Sequence, residues 1–376
     1  MREMSKVVRD AIASSGELSD RVVTPHKQSV TRVSNPGDVA LSRQEREEAE
    51  EELLAIGATR SRGAGNRARE EEPDELRTCF ERDLDRIKYS KPWRRLAGKC
   101  QVFVAPDDEH LRNRMTHAIE VAQVATSIAR AVGLNVALCE AIALGHDCGH
   151  GPGGHASEDA FEPYIDGGYD HAGWGADVVL ADMNLTLEVL DGIRQHSWRL
   201  AAPMTPEGEV VSLADRIAYV CHDADDAARA GIIIASNLPI EVIEFCGTKQ
   251  SSQIRSFIND AVRTIQETGQ VGLSPGMAAV LDTFRRFNYD KIYLRPASNQ
   301  QAERVIRMLR SLVEHYADKQ GLIPDVSDGS REFPDAGSKQ ALFESVRYVS
   351  GMTDRFAISQ AVTLLRYPVD LLPSGV

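Results

Sequence analysis

Eight of the chain's ten histidines lie between His110 and His222. The densest stretch is ALGHDCGHGPGGHASED, residues 143–159. It sets His146, Asp147, His150, His155, Glu158 and Asp159 among five glycines. So many polar and flexible residues make a poor hydrophobic core. Imidazoles and carboxylates together are the donor set of intermediate divalent metals. Four residues stand out as ligands: His117, His146, Asp147 and Asp215. Asp215 sits in VVSLADRIAYV, where apolar neighbours surround it. A carboxylate there carries a large desolvation cost unless it is paired or coordinated. Taken singly, each has an ordinary structural reading: a hydrogen-bonded histidine, or an aspartate paired with Arg114 or Arg216. The combination carries the signal, one histidine, then a His-Asp pair, then a distant aspartate, each in a helical context.

The elements that must position these residues read as helices. THAIEVAQVATSIARAV (116–132) puts Ala118, Val121, Ala125, Ile128 and Val132 on one face. VALCEAIALGHDCG (136–149) is an apolar helix running into glycine. EVVSLADRIAYVCHDADDAARAGI (209–232), ERVIRMLRSLVEHYADK (303–319) and the 339–365 stretch continue the pattern. Adjacent helical residues point about 100° apart. His146 and Asp147 can therefore share an ion only just beyond a helix end, with other helices bringing His117 and Asp215 to it. RQEREEAEEELLAI (43–56) reads as a short acidic helix, and the Gly- and Arg-rich 59–73 stretch as a loop. Regular structure is expected from near Asp74. Alternation suggestive of a strand is confined to FNYDKIYLR (287–295). The fold class is mainly α, a helical bundle with extra C-terminal helices and little or no β-structure.

Composition narrows the function classes. The 376 residues carry 43 Lys and Arg against 56 Asp and Glu, a formal charge of −13. That balance argues against a bulk electrostatic nucleic-acid binder but leaves room for a local basic site. No two of the six cysteines are spaced as CxxC, which fits buried thiols in a reducing compartment. No window approaches 18 consecutive apolar residues, and MREMSKVVRD is not a secretory leader. A cytoplasmic protein without membrane attachment is expected.

The spacing resembles the HD-domain metal phosphohydrolases. RNRMTHAIEVAQVATSIARAVGL, AIALGHDCGHGPGGHASED and SLADRIAYVCHDADDAARAG narrow it to a resemblance with deoxyguanosine triphosphate triphosphohydrolases. FERDLDRIKYSKPWRRLAGKCQVF and SVRYVSGMTDRFA agree. The resemblance runs from residue 55 to 367. Residues 1–54 lie outside it and read as a flexible arm; an HD core over 55–235 and a C-terminal helical region over 236–376 completing a nucleotide pocket are expected. The resemblance implies one divalent ion per site on His117, His146, Asp147 and Asp215, with Mn²⁺ or Mg²⁺ ahead of Fe²⁺, Co²⁺ or Ni²⁺. It assigns proton handling to His155 and Glu158, either activating water or protonating the leaving group. It gives His150 and His171 active-site roles, His150 as a phosphate contact. It places Gln101 and Tyr219 near the sugar and Asp354 near the 3′-hydroxyl.

The implied reaction converts a dNTP to deoxynucleoside and inorganic triphosphate. An acidic protein needs local cations for such a tail; Arg114, Arg216, Lys291 and Arg295 are candidates. Arg94, Arg95 and Lys99 would line the pocket or an allosteric nucleotide site. A homo-oligomer, with a hexamer as one form, is implied as well. GPGGH (151–155) departs from the family's bulkier turn at Gly153, and Ala172 and Trp174 stand where the family has Asn and Gln. Trp174 would then fill part of the pocket, and the base accepted need not be guanine. The alternatives are an HD-type phosphatase releasing orthophosphate from nucleoside monophosphates and a nucleotide-binding regulator without turnover.

Overall fold

Polar caps set where the helices begin. The Asn113 side chain accepts from Thr116 N, and Thr116 reaches back to the Asn113 backbone, starting the helix at Arg114. Gly133, in the left-handed region at φ 75°, ends it. Asn135 accepts from Leu138 N to start the next helix two residues on. Thr205 accepts from Gly208 N ahead of Pro206, opening the longest helix. Such caps supply acceptors that the first helical turn lacks.

The computed structural model describes residues 41–104, 108, 110–324 and 333–373. Fifteen α-helices run in order: α1 (Arg43–Leu53), α2 (Cys79–Tyr89), α3 (Lys91–Arg95), α4 (Arg114–Val132), α5 (Val136–Gly145), α6 (Ala156–Phe161), α7 (His171–Trp174), α8 (Leu187–Arg194), α9 (Pro206–Arg229), α10 (Ile240–Cys246), α11 (Gln250–Thr268), α12 (Pro275–Asn288), α13 (Pro296–Asp318), α14 (Lys339–Ser350) and α15 (Asp354–Leu365). Among the described residues there is no sheet, only two isolated bridges, Arg67 with Thr186 and Cys100 with Asn113. The strand expected over 287–295 is instead the end of α12 followed by a π-helical turn, Tyr289–Tyr293. The π-turn carries about one residue more per turn than an α-helix, which brings Tyr289 and Tyr293 to one side, their rings 5.1 Å apart. No described helix is long and apolar enough to cross a membrane.

The described residues from Arg43 onward hold two apolar clusters. The first packs Val121, Ala125 and Ile128 of α4 against Leu138 and Ile142 of α5 and Ile217 and Val220 of α9. The second joins Phe161, Tyr169 and Trp174 to Leu309 and Leu312 of α13, Val346 and Val349 of α14 and Ala357 of α15. Each such buried aliphatic contributes roughly 1.5–3 kcal/mol. The Gly-rich turn after α5 runs between the clusters. At Gly149 a Cβ would strike the His171 carbonyl and the Gly175 backbone, so only glycine lets α7 approach. All six cysteines are free and buried. Residues 1–40 of the arm expected over 1–54 lie outside the described residues. At Arg43–Leu53, Arg46 pairs with Glu81 of α2, and Glu50 accepts from Ser61 N and Oγ.

Candidate metal and polyphosphate site

Three helical segments deliver four donors to one buried spot. His117 projects from the first turn of α4, Asp215 from the middle of α9, and His146 and Asp147 from the end of α5. His117 Nε2 lies 3.1 Å from Asp215 Oδ1 and 3.8 Å from Asp147 Oδ2. His146 Nε2 lies 3.4 Å from Asp147 Oδ1 and 3.7 Å from Asp215 Oδ1. Ligand bonds of about 2.1 Å on an octahedral ion place neighbouring donors about 3 Å apart.

The fit of a cation rests on His146. Its Nδ1 is 2.6 Å from the Ala143 carbonyl, which can only accept, so Nδ1 carries the proton. Nε2 is then a lone pair, buried and without a hydrogen-bond partner. It points into a group with His117 and Asp215 whose donor atoms lie within 4.8 Å of one another. A buried imidazole acceptor without a protein partner, beside two carboxylates, fits coordination of a cation. Burial alone would raise both carboxyls. The Arg114 guanidinium holds Asp147 well below the usual carboxylate range, and the hydrogen bond with His117 does so for Asp215. Both carboxylates are anionic, as donors to a cation would be.

A second cluster abuts the first. Glu158 Oε1 accepts from His155 Nδ1 at 3.0 Å and His171 Nδ1 at 2.7 Å. Burial opposes ionisation of Glu158, but these two bonds hold it far below the usual carboxylate range. His150 stacks on His171, ring centroids 3.7 Å apart, and its Nε2 lies 3.3 Å from Asp147 Oδ1. Burial and Arg114 keep His150 neutral. His155 is 73% exposed where His150 is 1%, so His155 is the member open to a substrate.

Both clusters face a cavity of about 710 Å³. Arg114, Arg199, Arg216, Arg285 and Arg295 line it. Arg114 donates to Asp147 Oδ2 at 2.8 Å and keeps Nη2 and Nε without partners. The Arg216 guanidinium stacks 3.4 Å over the Trp198 ring. Gln101, Tyr219, Asp223 and Tyr293 form a further wall. Tyr293 donates to Asp223, whose carboxyl burial pushes up to about 7.

Of the residues expected from sequence, His117, Asp147, His150, His155, Glu158, His171, Asp215, Arg114, Arg216, Tyr219, Gln101 and Arg295 line this cavity, and His146 touches it through the donor group. Others do not. Lys291 faces solvent and pairs with Asp290 at 2.8 Å, because the π-turn sends Tyr289 and Tyr293 inward and Lys291 out. Asp354 cannot offer oxygens to a sugar: Oδ1 accepts from Gly153 N and Oδ2 from Cys100 N, both at 2.9 Å. Lys99 is buried, donating to the His150 and Ser350 carbonyls, and Arg94 and Arg95 do not line the cavity. Trp174 packs in the second apolar cluster and donates to Ser350 Oγ. Gly153, at φ 76°, has its lateral space filled by Val305 of α13; a Cβ would lie 2.5 Å from Val305 Cγ1.

Sequence reasoning missed Asp223, His196, Trp198, Arg199 and Arg285. Asp223 had a signal, lying four and eight residues beyond Tyr219 and Asp215 on one helical face. His196 sits in the histidine-rich span, its Nε2 3.1 Å from His171 Nε2.

Comparison with known proteins defines the class first. The HD domain model matches residues 114–220, and the phosphohydrolase-associated domain model matches 271–362. The first span holds His117, His146, Asp147 and Asp215. A deoxyguanosinetriphosphate triphosphohydrolase-like protein of Caldanaerobacter subterraneus subsp. tengcongensis is 38% identical over 334 residues, covering 87% of this chain and 95% of that one. One from Clostridium perfringens is 38% identical over 311 residues, covering 78% and 89%. One from Desulfatibacillum aliphaticivorans is 35% identical over 347 residues, covering 85% and 96%. The chain belongs to the HD-domain deoxyguanosinetriphosphate triphosphohydrolase-like family.

Proposed function

We propose that the protein is a metal-dependent hydrolase that cleaves deoxynucleoside triphosphates, dGTP or a related dNTP, at the α-phosphorus to give deoxynucleoside and inorganic triphosphate. The observation that carries this reading is the adjacency of three things around one cavity: a buried four-donor group with an orphaned imidazole nitrogen, an exposed His155 backed by Glu158, and a rim of arginines. His117, His146, Asp147 and Asp215 would hold the ion, Mn²⁺ or Mg²⁺ first, with Fe²⁺, Co²⁺ or Ni²⁺ also suited to this donor set. When bound it supplies Lewis acidity toward a phosphate oxygen.

The chain's own groups do the rest. Glu158 holds the proton on His155 Nδ1, so His155 exchanges a proton at Nε2 with the attacking water or the leaving oxygen. His150 and Arg114 stand beside Asp147 to contact phosphate, and Arg216, Arg295, Arg199 and Arg285 neutralise the tail. Tyr219, Gln101 and the Asp223–Tyr293 pair form the sugar wall, where a close ring disfavours a ribose 2′-hydroxyl. Residues 55–235 form the HD core and 236–376 complete the pocket, which α12, the π-turn and α13 line. The family also supports assembly of several copies, a hexamer being one form, and nucleotide control of activity.

The test is a panel of dNTPs, NTPs and dGMP with Mn²⁺ or Mg²⁺, with products resolved. Deoxynucleoside with intact triphosphate is expected. Orthophosphate from dGMP, or no turnover of any nucleotide by metal-loaded protein, would overturn the reading.

A further inference from the structure

The turn from Asp147 to His155 makes few backbone hydrogen bonds of its own, and side chains from distant segments catch it. Asp354, at the first position of α15, accepts from Gly153 N with one oxygen and from Cys100 N with the other. Lys99 donates to the His150 carbonyl and, at 2.9 Å, to the Ser350 carbonyl at the end of α14. Asp354 is 4% exposed and Lys99 3%, and neither lines the cavity.

We propose that Asp354 and Lys99 are positioning residues: they clamp the turn carrying His150 and His155 onto the α14–α15 junction and so fix the histidines that act on substrate. The proposal rests on the assignment of proton handling to His155 and Glu158. A buried carboxylate with both oxygens committed to backbone amides is a strong, directional anchor. The ammonium ties together two carbonyls that are 200 residues apart in sequence, His150 and Ser350. His117 and Asp215 are held otherwise, by the backbone of α4 and α9 and by their own contacts, and touch neither Asp354 nor the Lys99 side chain. Asp147 opens the turn but is also held by Arg114. Releasing the clamp therefore moves His150 and His155 most and leaves the donor group able to bind its ion. That separation is what distinguishes positioning from general support of the fold.

Asp354→Asn keeps the shape but turns one acceptor into a donor facing a backbone N–H. The full chain is assayed with dGTP and Mn²⁺ for kcat and KM, bound Mn²⁺ per chain is measured, and ¹⁵N-histidine NMR is recorded with diamagnetic Mg²⁺. Wild-type helix content and metal content are expected. The kcat should fall roughly 10- to 100-fold, the usual size of losses when a supporting hydrogen bond is removed, with little change in KM. The His150 and His155 imidazole signals should shift. Gly98→Ala carries the same test if the first variant does not fold: its Cβ would lie 2.7 Å from Thr353 Cγ2, pushing the start of α15 without touching the carboxylate. Wild-type kcat in a folded variant, or metal lost in step with activity, overturns the clamp. Absence of dGTP turnover in the wild-type chain sinks the proposed reaction instead, and the histidine signals alone then decide the clamp.

Discussion

The metal donors and the substrate wall share one cavity but are built in opposite ways. The donors stand on, or directly after, three helices buried in the first apolar cluster, and their atoms sit 3.1–3.8 Å apart. The substrate wall takes Arg216, Tyr219 and Asp223 from α9 and Arg285 from α12, but adds a π-turn, a loop after α8, the segment around Gln101 and α13, and most of its groups are partly exposed. A helix converts residue spacing into direction at a fixed 100° per residue. A loop does not, and its side chains point where distant contacts send them. The first region is thus specified locally, and the non-helical part of the second only by the whole fold.

The contrast can be broken or sharpened by experiment. The largest effect is expected from Asp147→Ala, which removes a donor and the partner of Arg114: bound metal and turnover should both vanish while helix content stays. Retained metal by elemental analysis would dismantle the donor group. His155→Ala should keep the metal and lower kcat by about 10²- to 10⁴-fold, the range for general acid–base groups; loss of metal in this variant would merge the two regions into one. Arg295→Ala should raise KM for dGTP about tenfold, the scale of a hydrogen bond to a charged group, in steady-state kinetics. Lys291→Ala, on the same turn but facing out, should leave KM and kcat within about twofold, since exposed pairs contribute little. A large effect there would mean the π-turn is read the wrong way round.

The smallest effect concerns stability. Burial pushes the Lys99 ammonium from its usual 10.5 down to about 8. Between those pH values the unfolded chain holds a proton that the folded chain releases. Stability therefore gains with rising pH across that window relative to Lys99→Met. Urea midpoints of both proteins at pH 7.5 and 10 check the sign: the difference should move in favour of the wild type at the higher pH.

How much was legible in the sequence follows the same division. His117, His146, Asp147 and Asp215 could be read because an apolar helix with a carboxylate or imidazole embedded in it is conspicuous, and helical phase says which such residues can meet. The all-helical class followed from the same periodicity. Lys291 misled because a positive charge does not reveal which way its side chain faces, and FNYDKIYLR reads as a strand where the chain forms a helical turn. Asp354 misled because nothing local reveals that its oxygens are spent on Gly153 and Cys100, residues 201 and 254 positions away. Trp174 was placed by analogy with a pocket position, but the second apolar cluster claims the indole. Asp223 was readable and overlooked; Arg199 and Arg285 were not, since exposed arginines carry no pattern that separates a cavity rim from any other surface.

The packing of Val305 against Gly153 has an evolutionary corollary. The two positions compete for one small volume across 152 residues of chain, so a heavier side chain at either is compatible only with a lighter one at the other. Neither can drift alone without displacing the strip of backbone that leads to His155. Thinning α13 at Val305 alone would not free the turn to thicken, because the φ of 76° at Gly153 strains any side chain whatever the space beside it.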